Sequence, residues 1–152
     1  MPSRWARLLV LGSLAARPVA AQQARELGPQ AIGTASDPAF AAAGVYAGVR
    51  TSRRVRLSAG AAIGGADGQT AWRGELLAHF LLAPGARRGV GGYAAGGVAV
   101  VGGPVDEGYL VLTLGFETRP GGRSGWFVEG GVGGGARLAV GWRRRWFGRA
   151  GG

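Results

Sequence analysis

The sequence predicts an all-β fold: an eight-stranded antiparallel up-and-down β-barrel with short turns, its apolar face toward lipid and its interior filled by side chains. Three observations predict it. The N terminus has the make-up of an export signal, and eight short apolar segments follow between turn-forming residues. Within most of those segments apolar residues alternate with Arg, Glu, Tyr and other polar residues, so that one face is oily and the other polar, as in membrane barrels.

The export signal comes first. Met1 to Arg7 carries Arg4 and Arg7, Leu8 to Ala16 is an apolar stretch of nine residues, and Val19-Ala20-Ala21 places small residues before Gln22. These are the three regions of a secretory signal peptide. Nine residues cannot form a membrane-crossing helix, which takes about twenty. Residues 1–21 are therefore expected to be a cleaved signal peptide, 22–28 a short N-terminal segment, 29–147 the barrel and 148–152 a C-terminal tail. Cysteine is absent although the exported chain enters a compartment that permits disulfides. A closed barrel supplies stability differently, because every strand finds a neighbour and no edge is left unpaired.

The eight strands follow from punctuation and alternation. They are Pro29 to Ala35, Ala39 to Arg50, Arg54 to Gly64, Thr70 to Ala83, Gly89 to Val101, Gly108 to Arg119, Ser124 to Gly133 and Ala136 to Phe147. The joints are Asp37-Pro38, Ser52-Arg53, Ala66-Asp67-Gly68, Pro84-Gly85, Gly102-Gly103-Pro104, Pro120-Gly121-Gly122 and glycines 133 to 135, all with turn chemistry. In the third strand Val55, Leu57 and Ile63 oppose Arg56 and Ser58. In the fourth, Trp72, Gly74, Leu76, Ala78, Phe80 and Leu82 oppose Arg73, Glu75 and His79. The sixth sets Leu110, Leu112, Leu114 and Phe116 against Tyr109, Thr113 and Glu117, and the eighth sets Leu138, Val140 and Trp142 against Arg137, Gly141 and Arg143. The first strand carries the weakest pattern. The fifth is built of small residues and shows no facing. Glycine, at 32 of 152 residues, recurs within these segments and leaves room for bulky neighbours.

Alternation alone fits an oily face turned inward, as in a soluble barrel, or outward toward lipid. The long aliphatic runs of the fourth and sixth strands favour lipid. So does the placement of Phe80, Phe116, Trp126 and Trp142 toward one rim and Trp72 toward the other, the pattern of membrane-interface aromatics. Tracing the chain up and down also sorts the charges. Joints at one end, with the C-terminal stretch, collect Arg50, Arg53, Arg54, Arg87, Arg88, Arg119, Arg123, Arg143, Arg144, Arg145 and Arg149, whereas the other end holds Asp37, Asp67, Asp106 and Glu107.

In architecture, most of Pro29 to Phe147 resembles the small eight-stranded outer-membrane β-barrels of the OmpA transmembrane domain and OmpX type. The aromatic-ended last strand, through Trp142, Trp146 and Phe147, resembles the assembly signal of that class. The chain departs from it in the residues Gly148 to Gly152 beyond the aromatic end, in Arg143 to Arg145 and in its short joints. The resemblance implies the barrel-assembly machinery as a partner and the outer membrane of a diderm bacterium as the location.

An eight-stranded barrel has an interior that side chains fill. Arg56, Arg73, Glu75, His79, Glu117, Glu129, Arg137 and Arg143 are the expected interior charge network, with Glu129 near Arg137 and Glu117 approaching Arg143. A structural plug of ion pairs is the expected role; a gated proton or ion path is the alternative for the same residues. Catalysis would rest on His79, the only histidine. No serine is expected at its depth, Ser58 being placed nearer Glu75, and one histidine without cysteine offers no metal site. No cofactor is expected: the glycine runs lack a phosphate-loop lysine.

The net charge of +10 comes from arginine alone, lysine being absent. Such charge suits phosphates, but export argues against nucleic acid and points to outer-membrane lipids. The expectation is a non-enzymatic integral outer-membrane barrel with an envelope-structural or surface role. A soluble exported lipocalin-like barrel with its oily face around a small apolar ligand is the alternative, and an outer-membrane barrel enzyme using His79 is the third.

Overall fold

A computed structural model describes residues 23–148, and it contains all eight strands. They are β1 (Ala24–Ala35), β2 (Phe40–Arg50), β3 (Val55–Ala66), β4 (Gln69–Leu81), β5 (Val90–Gly102), β6 (Glu107–Thr118), β7 (Ser124–Val132) and β8 (Ala136–Phe147). Each pairs antiparallel with its sequence neighbours, and β8 returns to pair with β1, closing the sheet. The barrel therefore presents no open edge among the described residues. The expected signal peptide and the tail beyond Gly148 lie outside the described residues.

The largest difference from the sequence reading is β1, which begins at Ala24 rather than Pro29. The expected N-terminal segment thus belongs mostly to the barrel. Two charges, a glycine and a proline disguise the strand, yet Glu26 faces the lumen and Arg25 faces outward at the rim. Pro29 has no N–H to give a ladder. The β1–β8 pairing accordingly skips Gly28 and Pro29, while both residues keep their partners on β2.

Hairpin chemistry sets the register of β3 on β4. Asp67 and Gly68 both have positive φ, 51° and 69°, the conformation of a two-residue type I′ turn whose twist suits the flanking strands. Ala66 then pairs with Gln69, and the ladder continues to Val55 opposite Phe80.

Alternation is regular around the ring. Leu57, Ile63, Leu76, Phe80, Leu110, Leu112, Leu114, Leu138 and Val140 point outward, and Leu110 is 80% exposed. Tyr93, Ala95 and Ala99 turn inward from β5 while Val98 and Val100 turn out, which gives that strand the facing its small residues concealed. Apolar packing inside the barrel is modest: Phe40, Ala66 and Ala71 fill one end, and Leu77, Ala99 and Val111 meet higher in the wall.

Inward glycines make room for the large interior side chains. Tyr93 is paired across the strands with Gly115, and Phe127 with Gly141. A Cβ at either glycine would run into the opposing ring.

Candidate functional site

All eight residues expected in the interior network are buried, and they form two layers. In the layer toward the Asp67 end, Glu75 and Glu129 meet Arg73 and Arg137. Arg137 reaches Glu75 through Nε–Oε1 at 2.9 Å and Nη2–Oε2 at 2.7 Å, and it reaches Glu129 at 2.9 Å. Arg73 donates from Nε to Glu75 at 2.7 Å, and the Tyr93 hydroxyl donates to Glu129 at 3.1 Å. Two acids face two bases, so this layer is balanced.

The second layer, toward the end where residues 23 and 148 lie, holds four arginines and two glutamates. Glu117 lies 3.1 Å from Arg56, 3.0 Å from Arg143 and 2.8 Å from Arg145. Glu26 lies 3.2 to 3.4 Å from Arg145, Arg56, Arg143 and Arg50. The layer carries a formal excess of two positive charges. Part of that excess rests on aromatic faces, which attract cations through the ring quadrupole. The Arg143 guanidinium stands 4.0 Å from the Phe127 ring centre and 4.6 Å from that of Tyr46, and Arg56 stands 5.0 Å from Tyr93.

Several members of this network were not in the sequence reading. Glu26 fell in the unassigned segment before Pro29, although its alternation with Gly28, Gln30, Ile32 and Thr34 continues the strand. The sequence pattern groups Arg50 and Arg145 with the rim and places Arg143 both there and in the interior; all three point inward. The register of β8 explains this: inward Arg143 and Arg145 flank outward Arg144, so only one of the three arginines breaks the outward row. Tyr46, Tyr93 and Phe127 carried no charge signal and stood on glycine-rich strands.

Arg50 and Arg145 also fasten the turns at their end. Arg50 donates to the Pro84 carbonyl at 3.0 Å and to the Pro120 carbonyl at 2.5 Å, while Arg145 donates to the carbonyls of Arg119 and Gly122 at 3.1 and 3.2 Å. Outside this latch lies an open vestibule of about 1020 Å³ walled in part by Arg50, Arg53, Arg87 and Arg123. At the opposite mouth a recess of about 140 Å³ is bounded by Asp37, Arg73, Glu107 and Tyr109. Both charged layers lie between the two recesses, with Arg50 lining the one and Arg73 the other.

His79 requires a correction. Ser58 does not stand apart from it: Ser58 Oγ lies 2.8 Å from His79 Nε2. Ser58 pairs with Leu77, one same-face step from both His79 and Glu75, and its hydroxyl takes the histidine side. The other ring nitrogen, Nδ1, faces Arg56 Nη2 at 3.2 Å. An arginine only donates, so Nδ1 accepts and the ring proton sits on Nε2, aimed at Ser58. A catalytic dyad needs the reverse, an unprotonated nitrogen facing the serine and an acid behind the ring. The cluster is arranged as a hydrogen-bonded bridge between β3 and β4.

The aromatics expected at the rims sit on the outer surface. Phe80, Phe116 and Trp126 are exposed and Trp142 is half-buried, all in the arginine-bearing half; Trp72 is exposed near the Asp67 end. Among the described residues the exposed arginines, Arg25, Arg53, Arg54, Arg87, Arg88, Arg119, Arg123 and Arg144, gather at the one rim. Four of the eight acids of the chain are paired in the lumen. The others, Asp37, Asp67, Asp106 and Glu107, stand at the opposite end.

No protein-family model matches the sequence, and no curated protein matches it. Among solved structures it is similar to the N-terminal β-barrel domain of Pseudomonas aeruginosa OprF, at 16% sequence identity and a TM-score of 0.63. The match covers 82% of this chain and 98% of that domain. At this identity the likeness is one of fold.

Proposed function

We propose that this protein is a non-enzymatic integral outer-membrane barrel with an envelope-structural or surface role, its lumen plugged by Arg/Glu pairs. The observation that carries the reading is the inversion of its faces. Leucine, isoleucine, valine and aromatic side chains cover the outside, while Arg56, Arg143 and Arg145 are almost wholly buried. Soluble monomers rarely expose contiguous apolar patches beyond a few hundred Å², and a belt around the whole barrel calls for lipid. The OprF domain shares the fold and lends the reading support. Outer-membrane lipids and the barrel-assembly machinery are then its partners, and neither cofactor nor nucleic acid enters the role. The soluble lipocalin-like alternative needs its oily face around a ligand, and that face points outward here.

Envelope fractionation tests the proposal. Retention in the membrane after a carbonate wash, together with heat-modifiable gel migration, is the expected result. Release into the soluble fraction would overturn it.

A further inference from the structure

On the outer wall at the arginine-bearing rim, an open groove of about 510 Å³ runs across β7 and β8, lined by Arg123, Ser124, Trp142, Arg144, Trp146 and Phe147 among others. We propose that this groove is a binding site for one anionic glycerophospholipid, with the headgroup phosphate held by Arg123 and Arg144 and an acyl chain laid over the tryptophans. The inference rests on the membrane reading above and assigns that surface a specific occupant.

The Arg144 guanidinium is held at the wall, the Arg123 backbone is tied beside it, and among the described residues neither side chain has a counter-charge. Arg144 is the one charge in the outward row Leu138, Val140, Trp142, Arg144, Trp146 of β8. Its guanidinium lies 5.7 Å from the Trp146 ring centre, so the indole supports it at the wall. Arg123 leads into β7, and its carbonyl accepts from the Arg145 N–H at 2.7 Å, tying the turn to β8 beside Arg144. The chain has eight acids: four are buried in the lumen and four lie at the far end. Among the described residues no acid reaches these arginines, which leaves them open to a partner from outside the barrel.

The lining chooses the class of partner. A free phosphate or an acidic peptide would use the arginines but not the aromatic floor. Toward the centre of the wall the floor continues as the cross-strand pairs Trp126 with Trp142 and Val128 with Val140, an apolar track leading away from the charges. A lipid has this polarity: phosphate at the rim, chain along the track. Arginine suits the phosphate because its planar fork bonds two oxygens at once.

The leaflet follows from topology. Residues 23 and 148 lie at this rim, and a barrel with an even strand number has both ends of its chain on the periplasmic side. That side of an outer membrane is the phospholipid leaflet, which selects a glycerophospholipid over lipid A.

Native mass spectrometry of the full-length barrel, extracted from nanodiscs of equal phosphatidylglycerol and phosphatidylcholine, tests the site. We expect one retained phosphatidylglycerol in preference to phosphatidylcholine. Each arginine near a membrane surface is worth about fivefold in binding, so Arg123→Gln with Arg144→Gln should lower retention about 25-fold. Arg123 borders both the groove and the vestibule, whereas Arg53 and Arg87 line the vestibule alone; Arg53→Gln with Arg87→Gln should therefore leave retention unchanged, and Trp146→Ala should weaken it with both charges present. Equal losses from both arginine pairs would reduce the effect to general rim charge and overturn the site. Lipid A displacing phosphatidylglycerol at equal concentration would overturn the choice of leaflet. Heat-modifiable migration of every variant separates these failures from loss of the fold, and carbonate extraction of the unaltered protein separates them from failure of the membrane reading.

Discussion

Arg137 on β8 grips Glu75 on β4, the strand diametrically opposite in the ring, by two hydrogen bonds of 2.9 and 2.7 Å. The pair spans the lumen as a strut. Its neighbour Glu129 binds the same guanidinium through Nη2 alone, which makes the two acids unequal. Removing Glu75 strips Arg137 of its bidentate partner and Arg73 of its carboxylate. Breaking a buried pair typically costs about 3 to 5 kcal/mol. We expect Glu75→Ala to lower the unfolding temperature of the detergent-solubilised barrel more than Glu129→Ala, and both to exceed outward Leu112→Ala. Heat-modifiable migration against temperature measures all three. An order with Leu112→Ala first would contradict the facing described.

The other layer has charge to spare, so its response has the opposite asymmetry. Four arginines share Glu26 and Glu117. Glu117→Gln raises the excess from two positive charges to three and leaves Arg56, Arg143 and Arg145 competing for Glu26; a loss of about 3 to 5 kcal/mol is expected. Arg145→Gln in the same chain restores the excess to two and should recover part of that loss. A urea titration of folded fraction, run on the single and double variants, reads the recovery directly. Strictly additive losses would mean that Glu117 and Arg145 do not share this site.

Glycine opposite aromatic is a packing claim with its own test. A methyl group at Gly115 would meet the Tyr93 ring, whereas one at outward Gly74 would find the nearest atom, Val100 Cγ2, at an ordinary 3.5 Å. Overpacking costs about 1 to 3 kcal/mol. Gly115→Ala should therefore destabilise the barrel by that order, and Gly74→Ala should change stability by less than about 0.5 kcal/mol. Equal effects would show that the interior adjusts more freely than the ring contact implies.

Ser58 and His79 make a chemical prediction. With Nε2 protonated toward Ser58 the serine is not activated, so a fluorophosphonate probe should not label the folded protein. Labelling that disappears in Ser58→Ala would reinstate the enzyme reading. Ser58→Ala should instead cost stability, about 1 to 3 kcal/mol, because it leaves a buried ring N–H without an acceptor.

Strand number and most of the facing were legible because both rest on local rules. Turn residues divide the chain, and period-two alternation sorts each strand. Even the pairing of Glu129 with Arg137 was within reach, since the two residues flank one glycine turn. Glu117 and Arg143, with one strand between them, were also within reach and lie 3.0 Å apart; contacts across the full width of the ring were not legible. Three strands separate Glu75 from Arg137 on either side of the ring, and only closure with its particular stagger brings them to one depth. Ser58 shows the same limit on a smaller scale: pairing puts it one step from both Glu75 and His79, and side-chain geometry makes the choice. Glu26 was lost for another reason, because charge and proline hid the alternation that its strand continues.

The distribution of charge between the two ends makes orientation testable with single cysteines, and the chain has none of its own. Asp67 stands in the exposed β3–β4 hairpin, and Arg87 stands in the turn at the rim where residues 23 and 148 lie. If both ends of the chain face the periplasm, the Asp67 turn faces the medium. A membrane-impermeant maleimide added to intact cells should then label Asp67→Cys at once and Arg87→Cys only after the outer membrane is permeabilised. The reverse pattern would keep the inserted barrel but place its arginine rim outside, and with it the lipid groove in the other leaflet. Protection of both sites until permeabilisation, with release of the protein into the soluble periplasmic fraction, would remove membrane insertion itself. Because the sites lie at opposite ends of one closed barrel, labelling them in parallel separates these outcomes without disturbing either charged layer.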